Sequence, residues 1–135
     1  MFDLTGRVSL VSGAASGMGK AVALAVAEAG SDIVLADINE AGAQATAQEI
    51  EALGRKALPV ACDISSPEAI RAMFTQIDET FGRIDFIANI AGEAVRKKPE
   101  VIELDEVEWT WRNIVYGRFC ICQEAGIRML EQGRG

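Results

Sequence analysis

Histidine is absent from the 135 residues, which removes imidazole from any proton-transfer scheme built on this chain. Tyrosine occurs once, as Tyr116, and cysteine three times, an odd number without the paired spacing of a metal site. Cys120 and Cys122, two apart on a helical segment, point in different directions, so the cysteines read as small core residues in a reducing compartment. No metal ligands are expected. Long apolar runs are missing as well: the longest uncharged one, Ala21–Ala27, is far too short to cross a bilayer. The opening MFDLTGR lacks the basic start and apolar run of a secretory signal. A net charge of −7 without a block of either sign argues against a nucleic-acid or anionic-membrane surface. We expect a soluble cytoplasmic protein, folded as one domain over residues 1–135.

What the chain does have is alternation. RVSLVSG, SDIVLAD, KALPVACD and RIDFIANIAG are short runs apolar on both faces, ending at Gly13, Asp37, Asp63 and near Asn89. Such runs suit strands of a parallel sheet covered by helices on both sides. Between them lie helical patterns. Asn39 caps a segment whose inner stripe is Ala43, Ala47, Ile50 and Leu53, closed by Gly54. Ser66, Pro67 and Glu68 read as cap, first-turn proline and first-turn acid, followed by Ile70, Met73, Phe74, Ile77 and Phe81 at helical spacing. Asp105 opens a last, long helix through Trp109, Trp111, Ile114, Phe119 and Leu130. The predicted architecture is α/β: a Rossmann-type, doubly wound parallel sheet of about four strands.

That order gives an address to the glycines at 13, 17 and 19. They follow the first strand and open a helix, the context in which a glycine cluster becomes a dinucleotide fingerprint. Gly13 permits a sharp turn, Gly17 a close approach of backbone N–H groups to a pyrophosphate, and Gly19 a helix lying close on the sheet. Ala21, Ala23, Ala25, Ala27 and Ala29 extend that close contact. The helix N-terminus adds unpaired N–H groups and about half a positive charge.

SGAASGMG resembles the Thr-Gly-x-x-x-Gly-x-Gly loop of the short-chain dehydrogenase/reductase family, with Ser12 in place of threonine. CDIS is similar to the family's aspartate after the third strand, and NIAG to its Asn-Asn-Ala-Gly motif, with Ile90 in the second place. EWTWRNIVYGRFCICQEA resembles the long helix that follows. The resemblance covers the chain in order, against family members nearly twice as long, so it implies their N-terminal, cofactor-binding half. It implies that Gly13, Ser16, Gly17, Met18 and Gly19 line the pyrophosphate and nearby ribose of NAD. Asp37 would accept the adenosine ribose hydroxyls, Asp63 and Ile64 flank the adenine, and Asn89, Ile90, Ala91 and Gly92 border the ribose nearer the nicotinamide. A basic 2′-phosphate site is not offered: Asp37 stands there, and neither Ser16 nor Ile38 is basic, so NAD(H) is expected over NADP(H).

Plainer roles stand beside these. Asp37 and Asp63 also read as polar strand ends, and Asn89 as a tie between strands. Arg96, Lys97 and Lys98 lie where family members border the substrate but read better as a solvated loop. Trp109 and Trp111 read as packing or interface residues.

The family's proton-transfer residues, a serine near the fifth strand and a Tyr-x-x-x-Lys pair, have no counterpart here. The residue four after Tyr116 is Cys120, and the position of the family's catalytic-site asparagine is Ile114, with Asn113 one step earlier. No catalytic residue is therefore assigned. The leading reading is the NAD-binding part of an oxidoreductase that, when complete, acts on a small carbonyl or alcohol. A non-catalytic NAD-binding module and an interaction protein pairing with a longer relative are the alternatives. The strand Ile84–Asn89 is expected at an open sheet edge, with self-association through it and the last helix.

Overall fold

The computed structural model describes residues 2–135. Strands β1 (Val8–Ser12), β2 (Asp32–Asp37), β3 (Ala57–Ala61) and β4 (Phe86–Asn89) form one sheet of order β3-β2-β1-β4, with every pairing parallel. The crossovers are α1 (Gly17–Glu28), α2 (Glu40–Ala52) and α3 (Pro67–Phe81), and the chain closes with α4 (Leu104–Trp111) and α5 (Gly117–Gln132). This is the expected four-strand, doubly wound arrangement. No helix among the described residues is long and apolar enough to cross a membrane.

Period-two alternation in β2 explains the layering. Val34 and Ala36 join a core with Leu10, Met73, Phe74 and Ile77 under α3 and α5, while Ile33 and Leu35 join Val11, Ala43, Ala47 and Ile50 under α1 and α2. The caps act as the sequence suggests. Asn39 accepts the Gly42 amide at 3.0 Å, and Ser66 accepts the Ala69 amide at 3.2 Å. Ile70, Met73, Phe74 and Ile77 are fully buried.

Several boundaries and faces differ from expectation. In α1 the buried stripe is Gly19, Ala23 and Ala27, while Ala21 and Ala25 are exposed, because a helix returns to one face every third or fourth residue. Leu53, expected inside, is 46% exposed; it falls at the C-cap of α2, and Thr46 completes the inner face instead. β4 begins at Phe86 and not Ile84, whose amide and carbonyl are taken by the Gln132 side chain at 3.0 and 2.8 Å. Cys62 and Cys120 are buried, but Cys122 is exposed.

The largest correction concerns the last helix. It starts at Leu104 with a Glu103/Glu106 capping box, and a π-helical turn at Arg112–Tyr116 interrupts it. That turn carries an extra residue and resets the helical phase. The inner face of α5 is Gly117, Cys120, Ile121 and Ala125, leaving Phe119 and Leu130 exposed, as is Trp111 at the end of α4. Ile121 is fully buried.

Candidate cofactor cleft

Chain order places β2 on one side of β1 and β4 on the other, so the carboxyl ends of the strands open a crevice where the winding reverses. A cleft of about 540 Å³ lies there. Gly13, Ser16, Gly17, Met18 and Gly19 form one wall, Asp37, Asp63 and Ile64 another, and Ile90, Ala91 and Gly92 a third. Residues separated by up to 79 positions in sequence are thus brought together, with one exception among those expected. Asn89 lies outside the lining; its amide donates to the Arg118 carbonyl at 3.2 Å and to Cys122 Sγ at 3.4 Å, tying β4 to α5.

The glycine-rich loop is closed on itself. The Gly13 amide donates to the Ala36 carbonyl at 2.8 Å, and its φ of +74° is left-handed. A Cβ on Gly19 would sit 1.9 Å from the Gly13 carbonyl oxygen. What Gly19 permits is therefore helix against loop, one turn from the strand, and not helix against the sheet as expected. Ser16 occupies the N-cap of α1 but makes no capping hydrogen bond, and the first turn of α1 holds no acid. The positive end of that helix consequently meets the cleft without an internal counter-charge. Lys20 is turned away, paired with Glu49 at 2.7 Å.

The acidic side is equally ordered. Asp37 accepts the Ala15 amide at 2.9 Å through one oxygen and the Asn39 amide at 2.9 Å through the other. Asp63 is exposed and accepts the Ser65 amide at 2.8 Å. Ile64 reaches the cleft from the core, with 5% of its surface exposed. On the third wall, Ser12 Oγ accepts the amides of Ile90 and Ala91 at 3.0 and 3.1 Å, while Arg118 donates to the Ala91 carbonyl at 3.1 Å and the Ile90 carbonyl at 3.3 Å.

Five further residues line the cleft that sequence reasoning had not assigned to it: Cys62, Ser65, Glu93, Trp109 and Asn113, beside the exposed Ile38. Trp109 was expected to pack, yet it stands in the wall. Asn113, and not Ile114, faces the cleft, and its amide donates to the Trp109 carbonyl at 3.0 Å. The π-helical turn makes this difference, and a one-residue phase shift leaves no mark on the pattern of side chains. Burial, then the neighbouring Asp63 and Cys120, push the Cys62 thiol up to about 11, away from the thiolate form. Tyr116 is exposed on the outside of the turn and does not line the cleft.

Comparisons with known proteins agree with this geometry. A family model described as enoyl-(acyl carrier protein) reductase matches residues 13–135. The D-threitol dehydrogenase of Mycolicibacterium smegmatis is 38% identical over 99% of this chain and 52% of its own. A short-chain type dehydrogenase/reductase from Mycobacterium marinum superposes with a TM-score of 0.94 at 37% identity, over 99% of this chain and 53% of that one. A 7α-hydroxysteroid dehydrogenase solved with NADH and 7-oxo glycochenodeoxycholic acid superposes with a TM-score of 0.92 at 29% identity, over 97% and 51%. The chain spans about half the length of the relatives it matches.

Proposed function

The chain belongs to the short-chain dehydrogenase/reductase family, and on that footing we propose that it is the NAD-binding part of an oxidoreductase acting on a small carbonyl or alcohol. One observation carries the reading: the loop shaped by Gly13 and Gly19, the N-terminus of α1 with no acid in its first turn, and the Asp37 carboxylate anchored on the Ala15 amide line one cleft. The loop amides and Ser16 hold the pyrophosphate, and Asp37 takes the adenosine ribose hydroxyls. Asp63 and Ile64 flank the adenine, and Ala91 and Gly92 border the second ribose. Asn89 supports that border from behind. When bound, the nicotinamide ring gives or accepts a hydride.

The relative solved with NADH supports a nicotinamide cofactor; the preference for NAD over NADP rests on the charge of Asp37. Proton transfer is not assigned to any residue of this chain, since Tyr116 stands outside the cleft and the residue four after it is Cys120, not lysine. Hydride transfer is therefore proposed for the whole protein, and the 135 residues alone should bind without turnover. Calorimetric titration with NADH, repeated on Gly17→Trp, tests binding. A wild type that gives no heat, or a Gly17→Trp variant that binds equally well, overturns the reading.

The pairing reading has its own support. β4 is an edge strand with Phe86 45% exposed, and Trp111, Phe119 and Leu130 lie open on the last helices. We propose that these surfaces are covered by a second copy or by a longer relative. The free thiols suit a cytoplasmic location.

A further inference from the structure

Arg118 opens α5 and has no acidic partner among the ion pairs of the described residues. A half-buried guanidinium without a carboxylate needs other acceptors. It finds two in succession: Nε donates to the Ala91 carbonyl at 3.1 Å, and Nη2 to the Ile90 carbonyl at 3.3 Å. From the opposite side, Ser12 Oγ accepts the Ile90 and Ala91 amides at 3.0 and 3.1 Å. The peptide units of this rim are thus gripped on both edges, by a hydroxyl from β1 and a charge from α5.

That grip has a consequence for the cleft. In a trans peptide the N–H points opposite to the C=O, and no cis bond occurs among the described residues. Drawing the Ala91 carbonyl to Arg118 therefore turns the Gly92 N–H away from the guanidinium, and Gly92 lines the cleft. Gly92 also lies directly against Arg118, since a Cβ there would be 3.0 Å from Nη2. Without the guanidinium, both carbonyls lose their charge-assisted donors; Ser12 still holds the 90–91 peptide through the Ala91 amide, but the 91–92 peptide is free to rotate.

We propose that Arg118 is a positioning residue for the nicotinamide-bearing half of the dinucleotide: it holds the Ile90–Gly92 rim so that the Gly92 N–H, the rim donor not taken by Ser12, faces the ligand. This rests on the dinucleotide reading above and adds a residue to it. The adenosine end meets other walls, around Asp37 and Asp63, so Arg118 should discriminate between the two halves of one ligand. A lysine cannot replace it, because a single ammonium lacks the planar fork that reaches both carbonyls.

The test is calorimetric affinity for NADH and for AMP, on wild type, Arg118→Met and Arg118→Lys, with thermal unfolding recorded for each. NADH affinity should fall about tenfold in Arg118→Met, the loss of two charge-assisted contacts at the rim. AMP affinity should stay within about twofold, and Arg118→Lys should recover only part of the NADH loss. Parallel loss of both ligands would show a merely structural residue and overturn the proposal, as would unchanged NADH binding in Arg118→Met. If Arg118→Met does not fold, the Arg118→Lys comparison decides on the same NADH-to-AMP ratio. A wild type that binds neither nucleotide would overturn the dinucleotide reading itself, and the role of Arg118 with it.

Discussion

Asp37 holds the amide of Ala15 at 2.9 Å, joining the end of β2 to the middle of the glycine-rich loop. A carboxylate fixed in this way cannot swing aside for a ligand that it repels, since moving it strands the Ala15 and Asn39 amides. The same residue that orders the loop thus sets a charge requirement at the mouth of the cleft.

NAD(H) should accordingly bind more tightly than NADP(H). Two like charges about 4 Å apart cost roughly 1–4 kcal/mol at effective dielectrics of 80 to 20, about five- to a thousandfold in affinity. Paired titrations check this, and Asp37→Ala should narrow the gap. Equal affinities in the wild type would remove Asp37 from the ribose site.

Gly19→Ala should be costly and Gly126→Ala should not. The first places a methyl 1.9 Å from the Gly13 oxygen and 2.5 Å from its carbonyl carbon, both backbone atoms, while the second meets nothing within 4 Å in α5. Overpacking of this kind costs about 1–3 kcal/mol, whereas Gly→Ala inside a helix gains about 0.5–1 kcal/mol. Denaturant midpoints of the two variants should move in opposite directions. A Gly19→Ala variant as stable as wild type, with full NADH binding, would show that the loop is not closed as described.

Acid should weaken the junction of β1 and β4 through Asp85. Burial alone would raise its carboxyl, but Arg83, the Val8 amide at 2.9 Å and Arg7 outweigh it and hold the group below its ordinary value of 3.8. A depressed folded value means that the stabilisation is fully present above 3.8 and is lost as pH falls through the lower, folded value. Asp85→Asn should cost about 2 kcal/mol at neutral pH, the scale of hydrogen bonds to a charged group. It should also make stability less pH-dependent below pH 3.8. Parallel acid limbs for the two proteins would refute the assignment.

Sedimentation should detect association of the 135-residue chain at about 100 μM, the consequence of an open β4 edge and exposed helix aromatics. Phe86→Lys, which places a charge on that edge, should shift the equilibrium toward monomer. A sharp monomer peak from the wild type would favour a self-sufficient four-strand unit instead.

The strands, the first three helices and their caps at Asn39 and Ser66 were legible because each depends on neighbours a few residues away. A cap needs an amide three positions on, and a strand apolar on both faces announces cover on both sides. The glycine loop was readable for the same reason, as a local steric need. The far wall of the cleft was not. Gly117 presses so close to Ile64 that a Cβ would stand 2.0 Å from its carbonyl oxygen, and the π-helical turn ahead of it resets the phase of what precedes. Hence Trp109 and Asn113 enter the wall while Trp111 and Phe119 stay outside. Arg118 meets Ala91 across 27 residues, in a contact that no spacing encodes. Local chemistry wrote the elements and the phosphate loop into the chain; the rim opposite that loop exists only because distant backbones pack to van der Waals contact, and that packing alone selects which face of the last helices it sees.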